Sequence, residues 1–199
     1  MSRVEEALRK NVAALPDGLR QHVERVVDEA ERLASLHGVD GAKARLAALG
    51  HDLVRAVPRD ELLRLARELG LNASDIEEAE PVLLHGPIAA RLMRERFGVD
   101  DPEVLAAVES HTTGRPGMSS LAKIMYVADK TEPVGLKYFP AWSEVRDLAE
   151  NDLDAAVLKG IDLSIAEAVK RGWLLHPGTI AARNELLRAK QDPADRRRE

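Results

Sequence analysis

A histidine followed directly by an aspartate, His51-Asp52, is the pair in this sequence best suited to chemistry. Imidazole nitrogen and carboxylate oxygen together suit Zn, Fe or Mn, and the absence of cysteine removes thiolate ligands. Adjacent residues on a helix point about 100° apart, so both reach one ion only from a face pressed against other ligand-bearing helices. Gly50, just before the pair, costs about 1 kcal/mol of helix propensity relative to alanine. Close approach of a neighbouring helix or a ligand would explain it. Five of the six histidines, His37, His51, His85, His111 and His176, lie near the ends of expected elements or beside Gly and Pro. Each candidate also has a plain structural reading. His22 reads as a polar-face residue of a helix, His85 as a cap before Gly86-Pro87, His111 as a cation favoured at a helix C-terminus, and Asp129 as a cap or surface charge. His37, before Gly38, reads as structural.

The elements that must position these residues are helical. Ser2 can cap a first helix with Val4, Leu8 and Val12 on one face, ending near Pro16. Leu19, Val23, Val26, Val27, Ala30, Leu33 and Ala34 repeat at three and four residues and stop at Gly38. Asp40 opens a helix that runs through Leu46 and Leu49 into Gly50-His51-Asp52. Further helices are expected over Asp60–Leu69, from Ser74-Asp75, over Ile88–Phe97 after Gly86-Pro87, and from Asp101-Pro102-Glu103 to about His111. Thr113–Gly117 is a loop. Ser119 or Ser120 opens an apolar helix, Leu121–Ala128, that delivers Asp129. Glu132–Pro140 reads as irregular, Ser143 to about Arg171 as one helix, and Ile180–Ala189 as the last. No strand alternates convincingly, so the expectation is one all-α helical bundle over residues 1–190 and a charged, disordered tail over 191–199.

Composition narrows the function. At 199 residues the chain can form one domain with a substantial core. A net charge of −5 argues against a broad nucleic-acid surface, and the run Arg196-Arg197-Arg198 is too short to replace one. No stretch approaches a membrane span and the N-terminus lacks an apolar leader, so the protein is expected to be cytoplasmic, with no membrane or nucleic-acid partner. Positive charge gathered in one pocket would still allow a phosphate-rich ligand. Any base-stacking platform must draw on Tyr126, Tyr138, Phe139, Trp142 or Trp173.

Read in order, His22, His51-Asp52, Leu84-His85-Gly86-Pro87, His111-Thr112-Thr113-Gly114-Arg115-Pro116-Gly117-Met118 and Ala128-Asp129-Lys130-Thr131-Glu132-Pro133 form a series. The series resembles the H…HD…D pattern of the HD-domain superfamily of metal-dependent phosphohydrolases. More closely it is similar to the YqeK-type subfamily, symmetrical dinucleoside tetraphosphate hydrolases that split diadenosine tetraphosphate into two ADP. The resemblance runs from about His22 to Leu187, and the 111–119 and 128–133 motifs are its most specific parts. It implies an HD-domain bundle and a metal, iron before zinc or manganese, held by His22, His51, Asp52 and Asp129, with His51-Asp52 as the catalytic centre. His85 and His111 would hold phosphate or complete a second metal position. Arg55 would meet a phosphate, and Thr112 and the Leu174–Thr179 segment, with His176 and Thr179, would line the nucleotide pocket. Arg115 would face the pocket or brace its loop. A homodimer is implied by analogy.

The chemistry expected is attack of a metal-activated water on phosphorus, with cations stabilising the charge that builds on the phosphoryl oxygens. Two rivals stand beside it: another HD-type activity, such as a nucleoside monophosphate phosphatase, and an inactive metal- and nucleotide-binding sensor. The sequence departs from the family after Glu132-Pro133. Where the family carries arginine two residues on, this chain has Val134-Gly135 and reaches a basic residue only at Lys137, before Tyr138-Phe139-Pro140. Lys137 is therefore expected to contact the substrate phosphates with weaker orientation than an arginine gives.

Overall fold

Side-chain caps set the starts of six helices in the computed structural model, which describes residues 2–191. Ser2 accepts from the Glu5 amide and opens α1 (Arg3–Ala13), which buries Leu8 and Val12. α2 (Asp17–Leu36) carries the expected apolar stripe and ends before Gly38, whose φ of +64° suits glycine alone. Asp40 caps α3 (Gly41–Gly50). α4 (Arg59–Glu68) is followed by the short α5 (Asp75–Ala79), which begins at a reciprocal cap between Ser74 and Glu77. A 3₁₀ turn at Pro81–Leu84 leads into α6 (His85–Phe97), and Asp101 caps α7 (Pro102–Ser110). Ser119 caps α8 (Ser120–Thr131). Then follow α9 (Gly135–Tyr138), a 3₁₀ turn at Pro140–Trp142, α10 (Ser143–Ala149), α11 (Leu153–Arg171) and α12 (Pro177–Gln191). The described residues contain no strand, so the all-α expectation holds. The expected charged tail, Gln191 aside, lies outside the described residues.

Four boundaries differ from the sequence reading. α6 begins at His85, so Gly86 and Pro87 sit inside its first turn. Proline is tolerated there because the amide it lacks has no helical acceptor. α9 and a 3₁₀ turn form within the stretch read as irregular. The expected long helix from Ser143 breaks at Asn151-Asp152, where Asp152 takes an extended conformation and accepts from the Ala155 amide. The last helix starts at Pro177, a residue favoured at a first helical position.

α8 organises the interior. Leu121, Ala122 and every residue from Ile124 to Ala128 are buried, and a helix apolar all round must be enclosed by others. α2, α3, α7, α10 and α11 pack around it. A smaller apolar cluster, with Leu62, Ala66, Leu84, Ile88 and Leu92, joins α4 and α6 beside the turn that carries His85. No helix among the described residues is long and apolar enough to cross a membrane.

Two glycines mark the close approaches. A β-carbon on Gly50 would lie 2.1 Å from Met93 Sδ of α6, so the neighbouring helix explains that glycine. On Gly86 it would lie 2.8 Å from the Glu109 carbonyl oxygen and 3.0 Å from that of Val108, both backbone atoms of α7. Gly86→Ala must therefore push α6 from α7 and should lower the unfolding free energy by about 1–3 kcal/mol. Chemical denaturation of the purified variant measures this, and an unchanged midpoint would refute the close packing.

Candidate metal centre

The site is assembled at helix ends. His51 follows α3 with helical backbone angles, where the last carbonyls of a helix have no intrahelical partner. Its Nδ1 donates to the Ala48 carbonyl at 2.7 Å. His111, at the end of α7, donates from Nδ1 to the Val108 carbonyl at 2.7 Å, and His85 donates from Nδ1 to the Val82 carbonyl. A carbonyl only accepts, so in each ring Nδ1 carries hydrogen and Nε2, the atom that can bind a metal once it is deprotonated, is directed away from its own chain. His22 lies within α2, where no such carbonyl is free. Its Nδ1 faces Glu132 Oε1 at 3.5 Å instead.

The imidazoles surround two carboxylates. Asp129, near the end of α8, places Oδ1 3.2 Å from His22 Nε2 and 3.6 Å from His51 Nε2. Asp52 places Oδ2 3.6 Å from His51 Nε2 and 3.8 Å from His22 Nε2. Its other oxygen, Oδ1, lies 3.3 Å from His85 Nε2 and 3.9 Å from His111 Nε2. His85 Nε2 and His111 Nε2 are 3.0 Å apart, with Thr112 Oγ1 at 3.2 Å and 3.1 Å from them respectively.

These residues fit a metal ion. His51 Nε2 is fully buried and has no hydrogen-bond partner among the described residues. An orphaned buried nitrogen beside two carboxylates that stand too far away to bond it marks donors arranged around a space. Donor atoms of His22, His51 and Asp129 lie within 4.8 Å of one another, as do those of His51, Asp52 and His111. Ligands bound at about 2.0–2.2 Å sit roughly 3–3.5 Å apart, so small movements close either set on a divalent transition metal. The donors are nitrogen and oxygen only, and a carbonyl behind each of three imidazoles fixes its tautomer as metal-binding histidines require.

Charge in the metal-free site follows from the same packing. Burial disfavours a charged His51, but Asp52 and Asp129 outweigh it and raise its pKa to about 9. Burial, with His85 and His51 nearby, pushes His111 down to about 3, so its ring is neutral. Burial opposes ionisation of Asp52 and Asp129 as well. The positive partners prevail, chiefly His51 for Asp52 and Lys130 for Asp129, and both stay ionised well below the usual carboxylate range.

The HD domain family matches residues 19–134, which span α2 to the turn after α8 and contain the whole cluster. The chain belongs to the HD-domain family. HD-domain proteins are metal-dependent phosphohydrolases, so the resemblance read from the sequence holds for family, fold and enzyme class. The chain is 40% identical over 167 residues to the symmetrical bis(5'-nucleosyl)-tetraphosphatase of Halalkalibacterium halodurans, covering 84% of this chain and 88% of that one. It is 35% identical to the Bacillus subtilis enzyme of the same name, over 92% of this chain and 97% of that one. A crystal structure from Clostridium acetobutylicum, described as a predicted HD superfamily hydrolase involved in NAD metabolism, superposes with a TM-score of 0.85. It is 35% identical and covers 92% of this chain and 97% of its own.

Within this HD domain a cleft of about 440 Å³ opens over the cluster, lined among others by His22, Asp52, Arg55, His85, Thr112 and Lys130. Arg55 is exposed and without a partner among the described residues. Lys137, His176 and Thr179 do not line this cleft. His176 accepts from the Gly178 amide at its Nδ1, and Thr179 donates to the Thr113 carbonyl at 2.7 Å, tying the start of α12 to the 113–117 loop. Arg115 is exposed and braces nothing among the described residues, and His37 is structural as expected, bonding the Ala149 carbonyl.

Two contributors were missed in the sequence. Glu132 is buried, pairs with Arg25 at 2.6 Å, accepts from the Val134 and Gly135 amides and stands behind His22. Lys130 lies against Asp129 and the end of α7. The signal for both was charge at the end of an apolar helix, which propensity alone cannot separate from a solvated terminus.

A raised His51 pKa has a measurable consequence. Its proton must leave before Nε2 can donate to a metal, and it is held up to about pH 9. Metal uptake at pH 7.5 should therefore release about one proton, falling to none as pH rises through 9, and apparent affinity should climb with pH up to that point. Calorimetric titration of metal-free protein in buffers of different ionisation enthalpy measures the release. Zero release at pH 7.5 would show that His51 is not a ligand.

Proposed function

We propose that this chain hydrolyses a dinucleoside polyphosphate, symmetrically splitting diadenosine tetraphosphate into two ADP. The observation that carries the reading is the orphaned, buried Nε2 of His51, set beside Asp52 and Asp129, which line a cleft that also holds Arg55 and Lys130. The names of the two bacterial relatives support the substrate. His22, His51, Asp52 and Asp129 would hold the ion, with iron as the proposed metal and zinc or manganese as the other occupants of such a donor set. A metal there supplies Lewis-acid activation of water at neutral pH. The chain's own residues do the rest. Apolar α8 keeps bulk water from beneath the carboxylates, and Arg55 at the rim is free to pair with phosphate oxygens.

A second ion is favoured over a phosphate role for His85 and His111. Both rings donate from Nδ1 to carbonyls, so in their neutral form the facing Nε2 atoms, 3.0 Å apart, both offer lone pairs, and with Asp52 Oδ1 beside them that donor set suits a cation better than a phosphate. The Thr112 hydroxyl can donate to one of them only. His85, His111 and Asp52 would hold a cation there, which would satisfy the pair.

His51→Ala and Asp52→Ala should each abolish turnover and reduce bound metal by at least half, with helical content retained by circular dichroism. Stoichiometric metal and near-normal activity in either would refute the centre. His85→Ala and His111→Ala should each lose about half of the metal measured by elemental analysis, whereas full metal with lost nucleotide affinity would restore the phosphate role. Product chromatography decides the substrate: two ADP support the reading, and AMP plus ATP, or nucleoside plus phosphate, replace it. Lys137 is exposed and without a partner among the described residues in α9, which Glu132 anchors beside His22. Lys137→Ala should lower kcat/KM about tenfold, the scale of one charge-assisted contact, and Lys137→Arg should preserve or raise it. An unchanged alanine variant would remove α9 from the substrate site.

A further inference from the structure

Lys130 stands out among the residues lining the cleft, because its side chain is largely buried, only 17% exposed, and surrounded on three sides. Its Nζ donates to the His111 carbonyl at 2.8 Å and to Asp129 Oδ2 at 3.1 Å, and it lies 4.1 Å from the centre of the Tyr126 ring. An ammonium group has three hydrogens, and here the carbonyl, the carboxylate and the aromatic face take one direction each. The ring cannot retreat. Tyr126 is fully buried, and a β-carbon on Gly160 of α11 would come within 3.0 Å of its Cε1 and 2.9 Å of Trp142 Cζ3, so only glycine lets α11 pack this close.

We propose that Lys130 is a positioning residue that ties α7 to α8 and restricts Asp129 to one donor oxygen at the metal. The inference rests on the metal-centre reading above. With Oδ2 bound to Lys130, only Oδ1 faces His22 and His51. Asp129 then cannot chelate through both oxygens, which keeps a coordination position open for a reacting group. The ammonium also draws charge from the carboxylate, leaving a bound ion more electrophilic. The same hydrogen bond to the His111 carbonyl fixes the end of α7, and with it the ring that faces His85. Because its three directions are filled, Lys130 has no donor left for a phosphate.

Cobalt(II) reports on coordination directly, so metal-free wild type, Lys130→Met and Lys130→Arg are each loaded with Co(II) and followed by visible absorption. Steady-state kinetics with diadenosine tetraphosphate follow. Lys130→Met should show a weaker visible band, as expected when Asp129 chelates and the coordination number rises. Its kcat should fall about tenfold or more, while KM stays within about twofold. Lys130→Arg, which keeps the charge and the donors, should recover most of both. Should the methionine variant not fold, Lys130→Gln, uncharged but still a donor, reads the same quantities. An unaltered spectrum with raised KM would make Lys130 a phosphate contact and overturn the proposal. Wild-type protein that takes up no Co(II) would remove the metal-centre reading and this inference with it. Normal Co(II) uptake by wild type beside an indistinguishable Lys130→Met variant sinks the inference alone.

Discussion

Two carboxylates brought together inside a helical bundle set the terms for the rest of this molecule. Asp52 is 5% exposed, and Asp129 stands within reach of the same two imidazoles at the end of the most buried helix. Ionised groups taken out of water demand compensation, and removing a partner from such a set costs several kcal/mol. Lys130 and the histidines supply part of it. A divalent cation supplies what they leave, and the geometry is arranged for one: His22 Nε2 bonds Asp129 Oδ1 at 3.2 Å, but Asp52 Oδ2 stands 3.6–3.8 Å from the His51 and His22 nitrogens and Asp129 Oδ1 3.6 Å from His51, too far to satisfy them. The ends of α3, α7 and α8, and the turn before α6, all converge on this point.

That convergence relies on one local device used three times. A histidine placed at the end of a helical turn meets the carbonyl three residues back, which at His51 and His111 lies in the last turn of a helix and at His85 also accepts that residue's own amide. One contact thus places hydrogen on Nδ1 and aims the other nitrogen. No long-range partner is needed to orient these rings, only the packing that brings the helix ends together. His22 is the exception that shows the rule. Set within α2, it finds its outer partner in Glu132, which needs Arg25 and two backbone amides to be held in place.

The helices were legible because their signals are local. Ser2, Asp40, Ser74, Asp101 and Ser119 each cap the element that the sequence assigns to them. Asp152 does the same, but it sits inside a stretch whose apolar pattern continues across it, and periodicity hid the break. The order of His22, His51-Asp52 and Asp129 was legible as a resemblance, and the bundle does bring their side chains to one place. The pairing of Nδ1 atoms with carbonyls was within reach of the sequence, since five histidines fall at element ends. The duties of Lys130 and Glu132 were not. Each depends on which atom of another helix lies 3 Å away, and no spacing along the chain encodes that distance. The tight contacts at Gly50, Gly86 and Gly160 were only partly foreseen, because a glycine announces close approach without naming the neighbour.

Charge in the cleft leads one step further. Its charged lining residues are Asp52, Asp129, Arg55 and Lys130, two of each sign, in a protein of net charge −5. Lys130 is already engaged by Asp129, so a phosphate approaching the floor meets Asp52 opposed only by Arg55 at the rim. With its charges balanced, the floor offers a chain of phosphates little net attraction unless it gains positive charge. Protonation of His51 offers at most one unit, and that proton lies buried between the two carboxylates. Metal ions bring two units or more, at the place where the lone pairs converge. The fold therefore makes tight polyphosphate binding contingent on metal binding: without the cation, the site lacks the excess of positive charge that a chain of phosphates needs.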